Sequence, residues 1–233
     1  PAAIAKAFYI AGSGRPGPVL IDITKDAKFG ETVFKYEKCA SIRSYRPKPK
    51  LDHTKVQEAA DLINQAKKPY LLIGQGIMLS NAEKELLEFV EKSGIPTAST
   101  LLGLGAFPNH HPLYAGYLGM HGDYAPNIKT NECDVLIAVG MRFDDRVTGD
   151  VSRYAKQAKV IHIDIDAAEL NKIIKADVPV HADAKEALKL LTELVQERKH
   201  DAWMQEFMEA KKVEVQTLQE SASELHSEEL KMD

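Results

Sequence analysis

The chain has 233 residues, 44% of them hydrophobic, and carries a formal net charge of −4 at pH 7. The negative charge argues against nucleic-acid binding, because no basic face is expected to collect a phosphate backbone. The two cysteines, Cys39 and Cys133, are far apart and lack metal-ligand spacing, so neither a disulfide framework nor a zinc site is predicted. No apolar run approaches the roughly 20 residues of a membrane span. We expect a cytoplasmic protein, or an organellar one without its presequence.

The first fifty residues are predicted to differ in organisation from the rest. Ala2 to Ala11 have the apolar spacing of a helix, and Val19 to Ile23 are predicted as a strand after a turn rich in Gly and Pro. One helix and one strand cannot bury themselves, so we interpret residues 1–29 as the tail of a domain whose remainder lies upstream. Residues 30–50 show little periodicity and are predicted to be a linker at a domain boundary.

Residues 51–199 alternate between helix and strand patterns. The predicted strands are Tyr70 to Ile73, Pro96 to Ser99, Asp134 to Val139, Lys159 to Ile165 and Val178 to His181. The predicted helices run from a cap at Asp52 or Thr54 to Ala66, from Glu83 to Lys92 with Ser80 as cap and Gly94 as end, and from Ala184 to Arg198. Crossovers of this length force parallel strands, so the predicted fold is an α/β, doubly wound, three-layer α/β/α parallel sheet of the Rossmann-like type. Residues 200–233 are predicted to be one more helix followed by a linker or frayed end.

The stretch from Val135 to Gly149 indicates a nucleotide site. A run of five apolar residues ends at Gly140, and Arg142, Asp144, Asp145 and Arg146 follow within six residues. Ligands of open α/β sheets bind at the carboxyl ends of the strands. Guanidinium groups suit phosphate oxygens, and neighbouring carboxylates hold them in place or accept from sugar hydroxyls.

Other strand ends also carry candidate ligand-binding residues. Gly74-Gln75-Gly76 would let a backbone approach a phosphate or ring closely, although simple packing explains such glycines equally well. The loop from Thr100 to Gly105 is better explained by packing on its pattern alone. The loop from Leu118 to Gly122 offers Met120 as an apolar surface and His121 as a donor, but a lone His is more often structural.

Acidic residues follow the last two predicted strands. Asp164 is the better candidate to accept from a ribose diol, whereas Asp166 is better explained as a helix cap. Asp183 precedes the helix that begins at Ala184. It can cap that helix or face a cofactor, and residue propensity favours the cap.

These motifs together resemble a known family. GRPGPVLIDIT, IPTASTLLGLG, LGMHG, VGMRFDDRVTG and IHIDID occur in the order and approximate spacing of the catalytic (large) subunit of acetohydroxyacid synthase, also called acetolactate synthase, a thiamine-diphosphate-dependent enzyme. RFDDRVTG is the most specific of them. The resemblance implies that residues 51–199 form a central FAD-binding domain. It also implies that residues 1–29 end a pyrimidine-binding domain and that residues 200–233 lead toward a diphosphate-binding domain.

The resemblance assigns a set of residues to a groove that holds FAD in an extended form. In that family the flavin is required but performs no net redox step. The groove residues carried over by motif are Gly74, Gln75, Gly76, Thr100, Leu101, Leu118, Gly119, Met120, His121, Gly140, Arg142, Asp144, Arg146, Val147, Asp164, Ile165, Asp183 and Ala184. Met120 and Arg146 are also similar to residues of the family's substrate channel.

The family's metal and diphosphate motif, GDG followed by Asn, does not occur in this sequence. We therefore expect no catalytic or metal-binding residue in this chain, and no turnover by it alone. The resemblance implies that the parent enzyme uses thiamine diphosphate and Mg²⁺ to condense pyruvate with pyruvate or 2-oxobutyrate in branched-chain amino acid biosynthesis. It further implies a homodimer or homotetramer with a regulatory small subunit. The alternatives are another thiamine-dependent enzyme with ADP or nothing in the groove, a free-standing dehydrogenase, and a non-catalytic dinucleotide-binding module.

Overall fold

The computed structural model describes residues 1–225, and it describes side chains up to residue 219. Its contacts divide the chain into one unit from Pro1 to Lys50 and a second, larger unit that begins at Leu51. The strands are β1 Pro69–Ile73, β2 Thr97–Ser99, β3 Tyr114–Tyr117, β4 Val135–Val139, β5 Lys159–Asp164 and β6 Val178–His181. The α-helices are α1 Ala2–Ala11, α2 Lys25–Phe29, α3 His53–Gln65, α4 Gly76–Leu79, α5 Glu83–Ser93, α6 Tyr124–Lys129, α7 Asp145–Thr148, α8 Ala184–Leu194 and α9 Asp201–Leu225.

All six strands form one parallel sheet in the order β3-β2-β1-β4-β5-β6. The chain builds outward from β1 to β3, returns to place β4 beside β1, and then builds outward in the other direction. The topology therefore reverses between β1 and β4, which is where open α/β sheets bind ligands. The predicted doubly wound parallel fold is confirmed.

Helices cover both faces of the sheet. Strand residues alternate between the faces, so Leu71 and Ile73 of β1 pack with α3, α5 and α8, whereas Tyr70 and Leu72 pack with α6 and α9. The five residues of β1 and of β4 are all buried, as expected for strands covered on both sides. No helix among the described residues is long and apolar enough to cross a bilayer.

Several predicted helix ends are confirmed and one is wrong. The Asp52 side chain caps α3, the Asp183 side chain caps α8, and Gly94 ends α5 in the left-handed conformation at φ 65°. Ser80 does not cap α5, whose N-cap residue is Ala82 and has no side-chain hydrogen bond. Ser80 lies too early in the turn, and its hydroxyl donates to Asp183 instead.

The unit from Pro1 to Lys50 forms helix α1 as predicted, but the predicted strand from Val19 to Ile23 is wrong. These residues belong to no strand of the described chain, and Leu20 is 91% exposed. An apolar strand pattern is realised only where a partner strand supplies hydrogen bonds.

Three further predictions about elements are corrected by the structure. Helix α8 ends at Leu194 rather than at Arg198, and α9 continues to Leu225 where a linker was one of the alternatives. Residues 226–233, also predicted as linker, lie outside the described residues. Asp166 caps no helix: it accepts from the backbone N–H of Ala168 within a turn, 3.0 Å away. Strand β3 was not predicted, because Gly116 interrupts its short pattern.

Candidate functional site at the carboxyl edge of the sheet

The sheet brings the predicted groove residues to one edge. Each of them lies at or just after the carboxyl end of a strand, although the strands are far apart in sequence. From one side of the sheet to the other, the groups are Leu118, Gly119, Met120 and His121 after β3; Thr100 and Leu101 after β2; Gly74, Gln75 and Gly76 after β1; Gly140, Arg142, Asp144, Arg146 and Val147 after β4; Asp164 and Ile165 at β5; and Asp183 and Ala184 after β6.

The glycines at the centre of this edge pack against one another. The N–H of Gly76 donates to the carbonyl of Gly140 at 2.9 Å, and a Cβ on Gly76 would lie 2.5 Å from the Gly140 Cα. A Cβ on Gly74 would overlap the Gly140 carbonyl and lie 2.6 Å from the Cβ of Met141. Close packing between the turns after β1 and β4 therefore explains these glycines without a ligand.

The loop after β4 presents a partly anchored guanidinium. Arg142 donates from Nε to Asp144 at 3.1 Å, and its side chain is 57% exposed. Asp144 also caps the short helix α7 by accepting from the N–H of Val147 at 3.2 Å. The described residues offer no hydrogen-bond partner to the two terminal nitrogens of Arg142, so these donors remain available for an anion.

Met120 and Arg146, predicted to share a substrate channel, lie close together. The N–H of Met120 donates to the carbonyl of Arg146 at 2.7 Å, and both residues line a cleft of about 310 Å³. The cleft also includes Val147, Asn127 and the ring of Tyr154.

Sequence reasoning missed Asn127 and Tyr154. The side-chain amide of Asn127 both accepts from the N–H and donates to the carbonyl of Gly119, each at 3.0 Å, and so fixes the loop after β3. Tyr154 is buried, its hydroxyl has no hydrogen-bond partner within the described part of the chain, and burial raises its pKa above the ordinary range. In the sequence, only the short spacing between Gly119 and Asn127 could have indicated the role of Asn127. No sequence pattern indicated that Tyr154 would line the cleft.

Apolar side chains that follow β2 and β3 are exposed to solvent. Leu101 is 62% exposed and Leu102 65%, although they follow the buried strand β2, and Met120 after the partly buried β3 is 67% exposed. Exposed apolar surface concentrated beside polar groups is typical of a binding site for a flat apolar group. His121 is exposed in the same loop, and its carbonyl accepts from the Tyr117 hydroxyl.

Carboxylates and carbonyls gather at the other end of the edge. Asp164 accepts from the N–H of Asp166 at 2.8 Å and is largely buried. The carbonyl of Ile165 is within 3.0 Å of the His181 ring. This end of the edge therefore offers hydrogen-bond acceptors, as recognition of sugar hydroxyls requires.

Asp183 is buried at the end of this row, and its carboxylate caps α8. The same oxygen that accepts from the N–H groups of Lys185 and Glu186 accepts from the Ser80 hydroxyl at 2.7 Å. Capping is thus confirmed as a role of Asp183, while contact with a cofactor stays a prediction.

His162 supports the loop that carries Arg142. It lies fully buried in β5, with Nε2 2.8 Å from the Met141 carbonyl and its ring edge-on to Phe143. Burial lowers the pKa of His162. The hydrogen bond to Met141 and the charge of Asp164 oppose this shift but do not cancel it. The neutral ring therefore donates from Nε2, and Nδ1 has no partner among the described residues.

The chain matches the family model for the central domain of thiamine pyrophosphate enzymes over residues 56–191. It is 46% identical over 193 residues to the acetolactate synthase large subunit of Corynebacterium glutamicum, covering 83% of this chain and 31% of that one. It is 42% identical to the acetolactate synthase large subunit of Buchnera aphidicola, covering 83% of this chain and 34% of that one.

An X-ray structure from Mycobacterium smegmatis, described as that of a thiamin diphosphate-dependent enzyme, superposes with a TM-score of 0.64 at 27% identity. The match covers 84% of this chain and 37% of that one. The chain thus spans about a third of the length of the relatives it matches. The resemblance inferred from the motifs is confirmed, and the chain belongs to the thiamine pyrophosphate enzymes, of which it contains the central domain.

Proposed function

We propose that this chain is the central domain of an acetolactate synthase large subunit and that the carboxyl edge of its sheet holds FAD in an extended form. Two of the relatives it matches at 42–46% identity are named acetolactate synthase large subunit. The motif RFDDRVTG, which is the most specific part of the sequence resemblance, supplies the arginines of this edge.

The order of chemical groups along the edge is the observation that carries the proposal. Apolar side chains follow β2 and β3, glycine turns and arginines follow β1 and β4, and carboxylates follow β5. An extended flavin dinucleotide has the same order: an apolar ring system, a pyrophosphate and an adenosine ribose. Five strand spacings of about 4.8 Å each separate β3 from β6, so the edge is long enough for an extended ligand.

Each part of the edge suits one part of FAD. Leu101 and Met120 would contact the ring, Arg142 would pair with the pyrophosphate, and Asp164 would accept from the ribose. The remaining predicted groove residues would line the ligand through their backbone. The flavin would supply a required structural element without net redox chemistry, as the resemblance implies.

We extend the proposal to the whole parent enzyme. Residues 1–29 would end its pyrimidine-binding domain, residues 30–50 would be a linker, and residues 200–233 would lead toward its diphosphate-binding domain. Those two domains would bind thiamine diphosphate and Mg²⁺. The parent would condense pyruvate with pyruvate or 2-oxobutyrate for branched-chain amino acid biosynthesis, as a cytoplasmic homodimer or homotetramer with a regulatory small subunit.

The two arginines of the edge should separate flavin binding from substrate handling. Arg142→Ala should weaken FAD binding about tenfold or more, because its phosphate partner loses a charged hydrogen-bond donor. Arg146→Ala in the parent should mainly raise the pyruvate KM or lower kcat in an acetolactate assay, since Arg146 lines the cleft with Met120. The exposed Arg153→Ala is the matched control and should change neither.

Two experimental results would refute this proposal. If Arg146→Ala loses flavin while Arg142→Ala keeps it, the two roles are reversed. If the parent, supplied with thiamine diphosphate, Mg²⁺ and FAD, forms no acetolactate from pyruvate, the proposed activity is wrong.

A further inference from the structure

A hydrogen bond joins two distant parts of the sheet edge. The hydroxyl of Ser80 donates to Asp183 at 2.7 Å and accepts from the N–H of Lys185 at 3.0 Å, across 103 and 105 positions of sequence. The side chain of Lys185 returns to the same turn, where Nζ donates to the carbonyl of Asn81 at 2.9 Å and lies 3.3 Å from Glu85. The turn after α4 is therefore fastened to the beginning of α8.

The segment from Gly74 to Ser80 connects the end of β1 to the hydrogen bond between Ser80 and Asp183. It begins at the end of β1, where the N–H of Gly74 donates to the carbonyl of Val139, and Gly76 then packs on Gly140 after β4. It ends at Asp183, after β6. Strands β4 and β5 lie between β1 and β6 in the sheet, so this segment and the Ser80 side chain connect the ends of two strands that are not neighbours.

The segment from Gly74 to Ser80 would form one wall of the proposed flavin groove. Its first contact is made by glycine backbones and its last by the Ser80 hydroxyl, while the short helix α4 connects the two. A four-residue helix has little stability of its own, so its position depends on tertiary contacts: Ile77 is buried in the core, and the residues at both ends of α4 are held by hydrogen bonds. Ser80 supplies such a contact by donating to Asp183. Asp183 is followed by Ala184, another predicted groove residue, so the contact also bears on the position of Ala184.

We infer that Ser80 is a positioning residue for the flavin site: by holding Asp183, it sets the distance between the glycine turn after β1 and the segment after β6. This inference rests on the proposed function, because the ligand whose affinity reports it is FAD. Ser80 is not expected to contact the flavin. Its effect is expected through preorganisation of the groove, which lowers the cost of ordering the groove when the ligand binds.

Equilibrium titration of the chain with FAD, followed by the visible absorption of the bound flavin, tests the inference. Ser80→Ala should weaken FAD binding by about three- to tenfold, less than the full effect of one hydrogen bond to a charged group, because Ser80 acts on the site only through Asp183. Ser80→Thr keeps the hydroxyl and should bind within about twofold of the unaltered chain. Ser152→Ala is the matched control, because the Ser152 hydroxyl also donates to a carboxylate, that of Asp150 at 2.6 Å, in an exposed turn that contains no predicted groove residue.

Ser80→Cys is a second variant that keeps the side-chain volume but offers only a weak donor, and it should resemble Ser80→Ala. All titrations are made where circular dichroism shows each variant folded, so that lost stability does not register as lost affinity. FAD binding by the unaltered chain together with equal affinity in Ser80→Ala and Ser80→Cys would overturn this inference alone. No FAD binding by the unaltered chain would overturn the proposed flavin site and this inference with it.

Discussion

At the residue scale, the glycines of the edge show how one pattern can have two causes. Gly74 and Gly76 stood out in the sequence as places where a ligand could approach the backbone. In the structure both face the backbone of Gly140, and Gly74 also faces Met141, so the chain's own packing already requires their small size. The sequence pattern could indicate the need for glycine but not the partner, because that partner lies more than sixty residues away.

Gly74→Ala tests this packing directly. The added methyl group would overlap the Gly140 carbonyl and crowd Met141, so the free energy of unfolding should fall by about 2–3 kcal/mol. Urea unfolding followed by circular dichroism measures the change. Gly17→Ala is the control: Gly17 has open space around its Cβ and no positive φ, so neither overlap nor backbone strain is expected and the change should be small. Equal losses in the two variants would contradict the packing argument.

At the element scale, a side chain of β5 stabilises the loop after β4. The His162 ring bonds the carbonyl of Met141 and packs on Phe143, and these two residues flank Arg142. The sequence predicted both strands correctly to within one residue at either end. It could not predict this support, because an alternating apolar strand gives no sign of which loop its one polar ring will contact.

The buried His162 should make stability depend on pH. Its folded pKa lies below the ordinary value of about 6.5, so as pH falls below that value the unfolded chain takes up a proton that the folded chain resists. The contribution of His162 to the free energy of unfolding should therefore be constant above about pH 7. Below about pH 6.5 it should decrease, by at most about 1.4 kcal/mol per pH unit for this one group.

Replacing the ring tests its share of that dependence. His162→Gln should reduce the slope of unfolding free energy against pH between about pH 5 and pH 6.5. A weaker slope of the same sign should remain, because burial and the nearby Arg198 also lower the pKa of His200. An unaltered slope in His162→Gln would show that the ring does not resist protonation.

At the scale of the whole molecule, the periodicity of helices and strands was sufficient to predict the parallel sheet. Long apolar runs such as Val135–Val139 are unambiguous once helices separate them. The same pattern placed most predicted groove residues at or after a strand end. It could not place Leu118 to His121, because these residues follow β3, which the sequence did not predict. Side-chain contacts between distant turns, such as that of Ser80 with Asp183, depend on tertiary geometry that no local pattern encodes.

The central claim is that the edge of this sheet binds FAD, and a titration of the purified chain with FAD tests it most directly. The predicted result is saturable binding, with a shifted visible absorption band, that is weakened about tenfold or more by Arg142→Ala and unchanged by Arg153→Ala. ADP should compete, because it carries the pyrophosphate and ribose that Arg142 and Asp164 are proposed to hold. No change in the flavin spectrum at any FAD concentration, or equal binding by the Arg142→Ala variant, would contradict the account.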